Sequence, residues 1–215
     1  MIRKTFILIG QLCSYLLPCK LTCKIKAMKT YIYTGYHKRH FHCWGENAIL
    51  TYKAAELMGE DCISVGENTV FEERAIITAR KEYKKKQYTP QIIIGDNCHF
   101  GRNIHISSIR SIVIGNNLLT GSNVLITDNA HGMNNIEQLN INPHSRDLSS
   151  KGGIMVGNNV WIGNNVCILS GVTIGNCAII GANSVVTHDI PSYCVAAGTP
   201  AKTISLIKHN TRTSI

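Results

Sequence analysis

The chain has 215 residues, 44% hydrophobic and only 16% charged, a composition that excludes an intrinsically disordered protein. Its formal net charge of +9 suits an anionic partner such as a nucleic acid, an acidic lipid or a phosphorylated cofactor. The nine cysteines (Cys13, Cys19, Cys23, Cys43, Cys62, Cys98, Cys167, Cys177 and Cys194) form no C-x-x-C pair, which leaves a zinc site without support and fits reduced thiols in a reducing compartment.

Residues 1–45 lie outside any repeat. "MIRKTFILIGQLCSYLLPCK" places Arg3 and Lys4 ahead of a mostly apolar run from Phe6 to Leu17. The outline is that of a signal peptide, but no A-x-A-like site closes it and basic "KLTCKIKAMK" follows. The run is shorter than the roughly 20 apolar residues of a membrane span. The expectation is an amphipathic helical arm, either packed on exposed edges of the body or lying on the inner membrane surface with Lys20, Lys24, Lys26 and Lys29 toward anionic lipid. The cluster "YHKRHFHCW" (36–44) matches no RNA- or DNA-binding module, so no nucleic-acid partner is expected.

A six-residue period then takes over. Its guide positions are Val65, Phe71 and Ile77; Ile94, Phe100 and Ile106; Ile114, Thr120 and Ile126; Val156, Ile162 and Ile168; Ile174, Ile180 and Val186. The next residue is usually Gly, except in the third hexapeptide of each trio, so the true unit is 18 residues. Such a unit predicts a coil with three short flat faces and three corners, where Gly and Asn accept positive φ. A single turn cannot bury its inner face; stacked turns bury one continuous core. Neither a helical period nor the two-residue alternation of a sandwich fits.

The rhythm breaks in three places. "TARKEYKKKQYTPQII", a basic loop, leaves the coil between Ile77 and Ile94; it reads either as a solvated loop or as a means of steering an acidic substrate. Two residues are extra between Ile106 and Ile114, and 24 between Ile126 and Val156. The last insertion, 132–155, starts directly after His131, and a long loop on a stiff scaffold is a usual way to build a site. His131 is one of nine histidines and is set apart by that position; an imidazole suits a general base near neutral pH.

The repeat, together with "VGNNVWIGNNVCILSGVTIGNCAIIGANSVVTHDIPSYCVAAGTPAK", resembles the hexapeptide-repeat, acetyl-CoA-dependent sugar O-acetyltransferases. "PHSRDLSSKGGIMVGNNVWIG" is most similar to members acting on capsule, O-antigen or exopolysaccharide sugars, and to galactoside and maltose acetyltransferases. The resemblance implies an all-β solenoid, a left-handed parallel β-helix over residues 46–191, after the arm (1–45) and before a C-terminal tail (192–215). It implies a homotrimer with sites between subunits and acetyl-CoA as donor; the cysteine pattern points to a cytoplasmic location and to no metal. By the same resemblance His131 is the general base, and the Asn164 amide faces the thioester. Asn123 binds the acceptor or is a corner residue. Asp128 or Asn129 orients the imidazole or makes a turn. Trp161 packs on the ligand or subunit seam, or in the core. Ala182, Thr187 and Lys202 contact coenzyme A, Lys202 at a phosphate; His188 stands where relatives often have Lys. Rival expectations are a sugar N-acetyltransferase, a serine or antibiotic acetyltransferase and, outside enzymes, a structural solenoid. About 45 residues before the repeat are too few for the helical domain of serine acetyltransferases.

Overall fold

The computed structural model describes residues 2–16, 19–133 and 135–206. Leu17, at the end of the apolar run, and residues 207–215 of the tail lie outside the described residues. Short strands run parallel from turn to turn and build three sheets of six, eight and six strands, the three faces of a coil with six turns. The guide residues stack in register. Val65, Ile94, Ile114, Val156 and Ile174 form one column. Ile77, Ile106, Ile126, Ile168 and Val186 form another. On the second face the rings of Phe71 and Phe100 stack with centroids 4.7 Å apart, and Thr120, Ile162 and Ile180 continue the row. None of these fifteen residues is more than 3% exposed. Burying one such aliphatic side chain contributes about 1.5–3 kcal/mol, so repetition alone builds a substantial core.

The corners follow from backbone sterics. Asn68, Asn97, Asn103, Asn117, Asn123, Asn159, Asn165 and Asn183 all have φ between 53° and 61°, a region that Asn tolerates better than most side chains. Their amides bond to one another along the coil, as in Asn103–Asn123 (2.7 Å), Asn123–Asn165 (3.0 Å) and Asn165–Asn183 (3.1 Å).

A turn at Cys43–Trp44, Ile49–Leu50 and Glu56–Met58 precedes the first hexapeptide trio. Trp44 pairs with Val65, Leu50 with Phe71 and Leu57 with Ile77. Seven residues rather than six separate Leu50 from Leu57, which hides this turn from a strict six-residue frame. At the other end Cys194–Gly198 joins the second face in parallel, and Ala201–Leu206 folds back antiparallel on it.

The arm forms two helices, α1 (Ile2–Leu16) and α2 (Cys19–His37). α2 covers the edge strand Ile49–Leu50. The Thr34 hydroxyl donates to the Leu50 carbonyl and accepts from the Leu50 N–H, both at 3.0 Å, while Thr30 Oγ1 accepts from the Tyr52 N–H. These two threonines satisfy an edge that would otherwise be open to pairing with another strand. From Arg3 to Ser14, α1 is exposed throughout. No described helix is long and apolar enough to cross a membrane.

Candidate active site

The long insertion leaves the coil at the corner after the third face. Ala130–His131 pairs antiparallel with Leu148–Ser149, so the strand carrying His131 is held by the strand that closes its own loop. The Gly132 N–H donates to the Asp147 carbonyl at 2.8 Å, and the Ser149 hydroxyl donates to the Gly132 carbonyl. The imidazole is exposed, and the Tyr83 ring meets it edge-on with centroids 5.5 Å apart.

Tyr83 belongs to the basic segment. Instead of a loose loop, Glu82–Tyr83 and Lys86–Gln87 form a hairpin that leans on the long insertion. The Tyr88 hydroxyl donates to the Leu148 carbonyl at 3.0 Å, and Lys84 Nζ donates to the His144 carbonyl. Burial pushes the Tyr88 phenol above its ordinary range. The two insertions therefore brace each other around His131. The sequence signal for this was two tyrosines flanking the lysine run, at positions 83 and 88.

Asp128 and Asn129 both turn to the preceding coil, and the Asn129 amide also donates to the Asp128 carboxylate at 3.4 Å. That carboxylate is fully buried and accepts from the Ser108 hydroxyl (2.7 Å) and from the N–H groups of Ile109 (2.8 Å), Arg110 (3.0 Å) and Ser111 (2.8 Å). It thus caps the turn made by the two extra residues after Ile106. The Asn129 amide donates to the Ser107 carbonyl and hydroxyl, again on the preceding turn. Both bond the turn below.

Asn164, Asn123 and Ala182 share a different corner, the one after the second face. Along the first corner a side-chain ladder satisfies successive N–H groups: Asp96 Oδ1 accepts from Glu67, Asn116 from Asp96, Asn158 from Asn116 and Asn176 from Asn158. Asn164 Oδ1 likewise accepts from the Ser122 N–H at 2.7 Å. The next residue in that column is Ala182, which has no acceptor. Among the described residues the Asn164 N–H has no hydrogen-bond partner. Gly163 keeps the approach tight: a Cβ there would lie 2.6 Å from the Ala182 nitrogen. Asn123, with φ 59°, is a corner residue in the amide ladder and is exposed.

Trp161 faces outward on the second face, 53% exposed, in register with Leu119 (49% exposed) and Ile179. Thr187 and His188 lie at the third corner, where Thr187 Oγ1 and His188 Nδ1 are 2.7 Å apart. Lys202 is exposed and pairs with Ala197 beside Gly181. Within one chain, then, His131 stands at the third corner, and Asn164 and Ala182 at the second.

Two family models match the coil. "Bacterial transferase hexapeptide (six repeats)" covers residues 153–188, and "Hexapeptide repeat of succinyl-transferase" covers 91–128. Both matched stretches lie in the coil and are of the hexapeptide-repeat transferase type. This hexapeptide-repeat protein is 42% identical over 125 residues to a putative lipopolysaccharide biosynthesis O-acetyl transferase, WbbJ, of Escherichia coli, covering 56% of this chain and 63% of that one. It is 37% identical over 116 residues to the galactoside O-acetyltransferase of Escherichia coli, covering 51% and 54%. The chain thus spans less than two thirds of the length of these curated relatives. AntD, an N-acyltransferase from Bacillus cereus solved with dTDP and 3-hydroxybutyryl-CoA, superposes with a TM-score of 0.68 at 18% identity, over 84% of this chain and 90% of that one. That likeness shows the fold, a left-handed parallel β-helix carrying a helical arm and one long inserted loop.

Proposed function

We propose that this protein transfers the acetyl group of acetyl-CoA to a sugar hydroxyl, in a capsule, O-antigen or exopolysaccharide unit. The observation that carries the reading is the unpartnered Asn164 N–H at one corner of a coil whose next corner presents His131 on a braced strand. A bare hydroxyl is a poor nucleophile at neutral pH. The imidazole of His131 takes its proton as the oxygen attacks the thioester carbonyl, a contribution of about 10²–10⁴-fold. The Asn164 N–H donates to the developing oxyanion. Collapse breaks the carbon–sulfur bond, and the imidazolium returns the proton to the departing coenzyme A thiolate. Ala182, Thr187, His188 and Lys202 line the cofactor's path, with the Lys202 ammonium at a phosphate.

Because His131 and Asn164 occupy different corners of one chain, a site using both is completed by a neighbouring subunit. A homotrimer seamed along the exposed Leu119–Trp161 row provides that neighbour. Tyr83 walls the acceptor side of His131, and Asn123, beside the open amide's column, meets the sugar. The arm is read as a peripheral element on a cytoplasmic membrane face, supported by exposed Phe6, Leu8 and Leu12 next to Arg3 and Lys4.

The test is incubation with radiolabelled acetyl-CoA and a panel of oligosaccharides, activated sugars, amino sugars and serine. Label should pass to sugar oxygen, and His131→Ala should lower the rate at least about 10²-fold with the fold intact. Label on an amine instead, or near-normal turnover by the pure variant, overturns the reading.

A further inference from the structure

The positive charge of this chain is not spread over it. Residues 1–45 hold eight of the 22 Lys and Arg and none of the 13 Asp and Glu, so nearly all of the +9 resides in the arm. Part of it converges on a cleft of about 420 Å³ between α2 and the first two turns, lined by Ile25, Lys26, Lys29, Tyr52, Lys53 and Arg74. The ammonium groups of Lys29 and Lys53 lie 6.0 and 5.7 Å from the centroid of the same ring, Tyr52. One carboxylate, Glu73, joins the cleft and pairs with Lys26. Lys29, Lys53 and Arg74 share the cleft and form no ion pair among the described residues, an arrangement that repels itself until an anion enters.

A second hollow of about 420 Å³ adjoins it, sharing Lys29 and Tyr52 and otherwise lined by Ile32, Tyr33, Tyr36 and His37. It is largely apolar. Leu21, Met28, Ile32 and Tyr36 continue this apolar surface along the outer side of α2, all exposed. A cationic hollow joined to an apolar one through a shared lysine and tyrosine matches a phosphate that carries a hydrocarbon. A free phosphate would leave the apolar half empty, and so would a nucleic-acid backbone.

We propose that the paired hollows bind one anionic phospholipid of a bilayer, the phosphate against Lys29, Lys53 and Arg74 and the glycerol and upper chains against Ile32 and Tyr36. The inference rests on the reading of the arm as a peripheral membrane element and adds a headgroup site to it. α1 supplies non-specific apolar insertion through Phe6, Leu8 and Leu12, while the cleft supplies the preference for negative charge.

The experiment is co-sedimentation of the full-length protein with vesicles of phosphatidylcholine alone, or containing about 30% phosphatidylglycerol, at low salt. The protein should pellet with the second and stay in solution with the first. Lys29→Glu/Lys53→Glu should weaken partitioning at least about tenfold, with thermal stability retained. Millimolar glycerol 3-phosphate should not release the wild type. If the double variant pellets as well as wild type while Phe6→Ser/Leu12→Ser does not, the cleft is not a headgroup site, though the arm still docks. Failure of the wild type to bind any vesicle removes both readings. If glycerol 3-phosphate releases it, the site takes soluble phosphates and the bilayer assignment falls. If the double variant instead changes the sedimentation coefficient, the face is a contact between copies and the inference is overturned.

Discussion

Asp128→Ala separates two roles that the sequence leaves open for this carboxylate. The side chain is 0% exposed and accepts four hydrogen bonds of 2.7–3.0 Å, three of them from consecutive backbone N–H groups. Hydrogen bonds to a charged acceptor contribute about 1.5–3 kcal/mol each, and the carboxylate's own desolvation offsets part of that sum. Arg110 and Ser111 sit toward the surface, where water can replace the lost acceptor, so the net loss on truncation is about 3–5 kcal/mol. For a chain of this size that lowers Tm by about 10 °C. Hydrogen exchange read by mass spectrometry should localise the change to the 108–111 turn, with faster exchange there than in the fifth and sixth turns of the coil. Acetyl transfer, measured well below the new Tm, should fall less than about tenfold, because none of the four bonds reaches His131. An unchanged Tm and unchanged exchange, together with a fall in transfer of about 10²-fold, would refute this and put the carboxylate to work on the imidazole.

Three further outcomes follow from the same geometry. Ala182→Asn supplies the acceptor missing beside the Asn164 N–H; transfer should fall about 10²-fold while Tm holds or rises, and unchanged turnover would remove that N–H from the mechanism. Leu119→Glu places a carboxylate in the exposed row with Trp161; sedimentation velocity should show trimer converting to monomer with activity lost in parallel, and an active monomer would show that no neighbour is needed. Burial holds the imidazole of His105, half-buried on the third face, below its ordinary value of 6.5. The unfolded chain then binds its proton first, so Tm should drop as pH falls from 7 through 6.5 toward the lowered value, and His105→Gln should flatten that slope.

The coil was legible because its signal is redundant. Every inward residue from Val65 to Val186 repeats a choice made one turn earlier, and Thr120, the polar exception, uses its hydroxyl to accept from the Gly101 N–H. The first turn, though inside the expected 46–191 span, has no guide residues in that frame because its third face arrives one residue late, at Leu57. The bracing hairpin escaped for another reason. Lysines 84–86 look like solvent, and the tyrosines that dock the segment find partners at His131 and Leu148, tens of residues away in sequence. Asp128, three residues from His131 in sequence, bonds a turn 17–20 residues upstream, the second of the two roles its position left open.

One corner carries most of the proposed mechanism. At the first corner Asp96, Asn116, Asn158 and Asn176 each give an oxygen to the N–H one turn below; at the second corner Asn164 does the same, and Ala182, next in its column, has no oxygen to give. An alanine at that place leaves the N–H below without an acceptor and forgoes a hydrogen bond worth about 1 kcal/mol; among the described residues the Glu73 and Arg102 N–H groups of the same corner are open too. A donor left open by the fold is a donor available to a ligand. The N–H below Ala182 belongs to Asn164, the residue matched on independent grounds to the thioester-facing position. On the proposed function, the omitted side chain at 182 and the open backbone amide at 164 are one feature, in which leaving out an acceptor supplies the donor that the oxyanion needs.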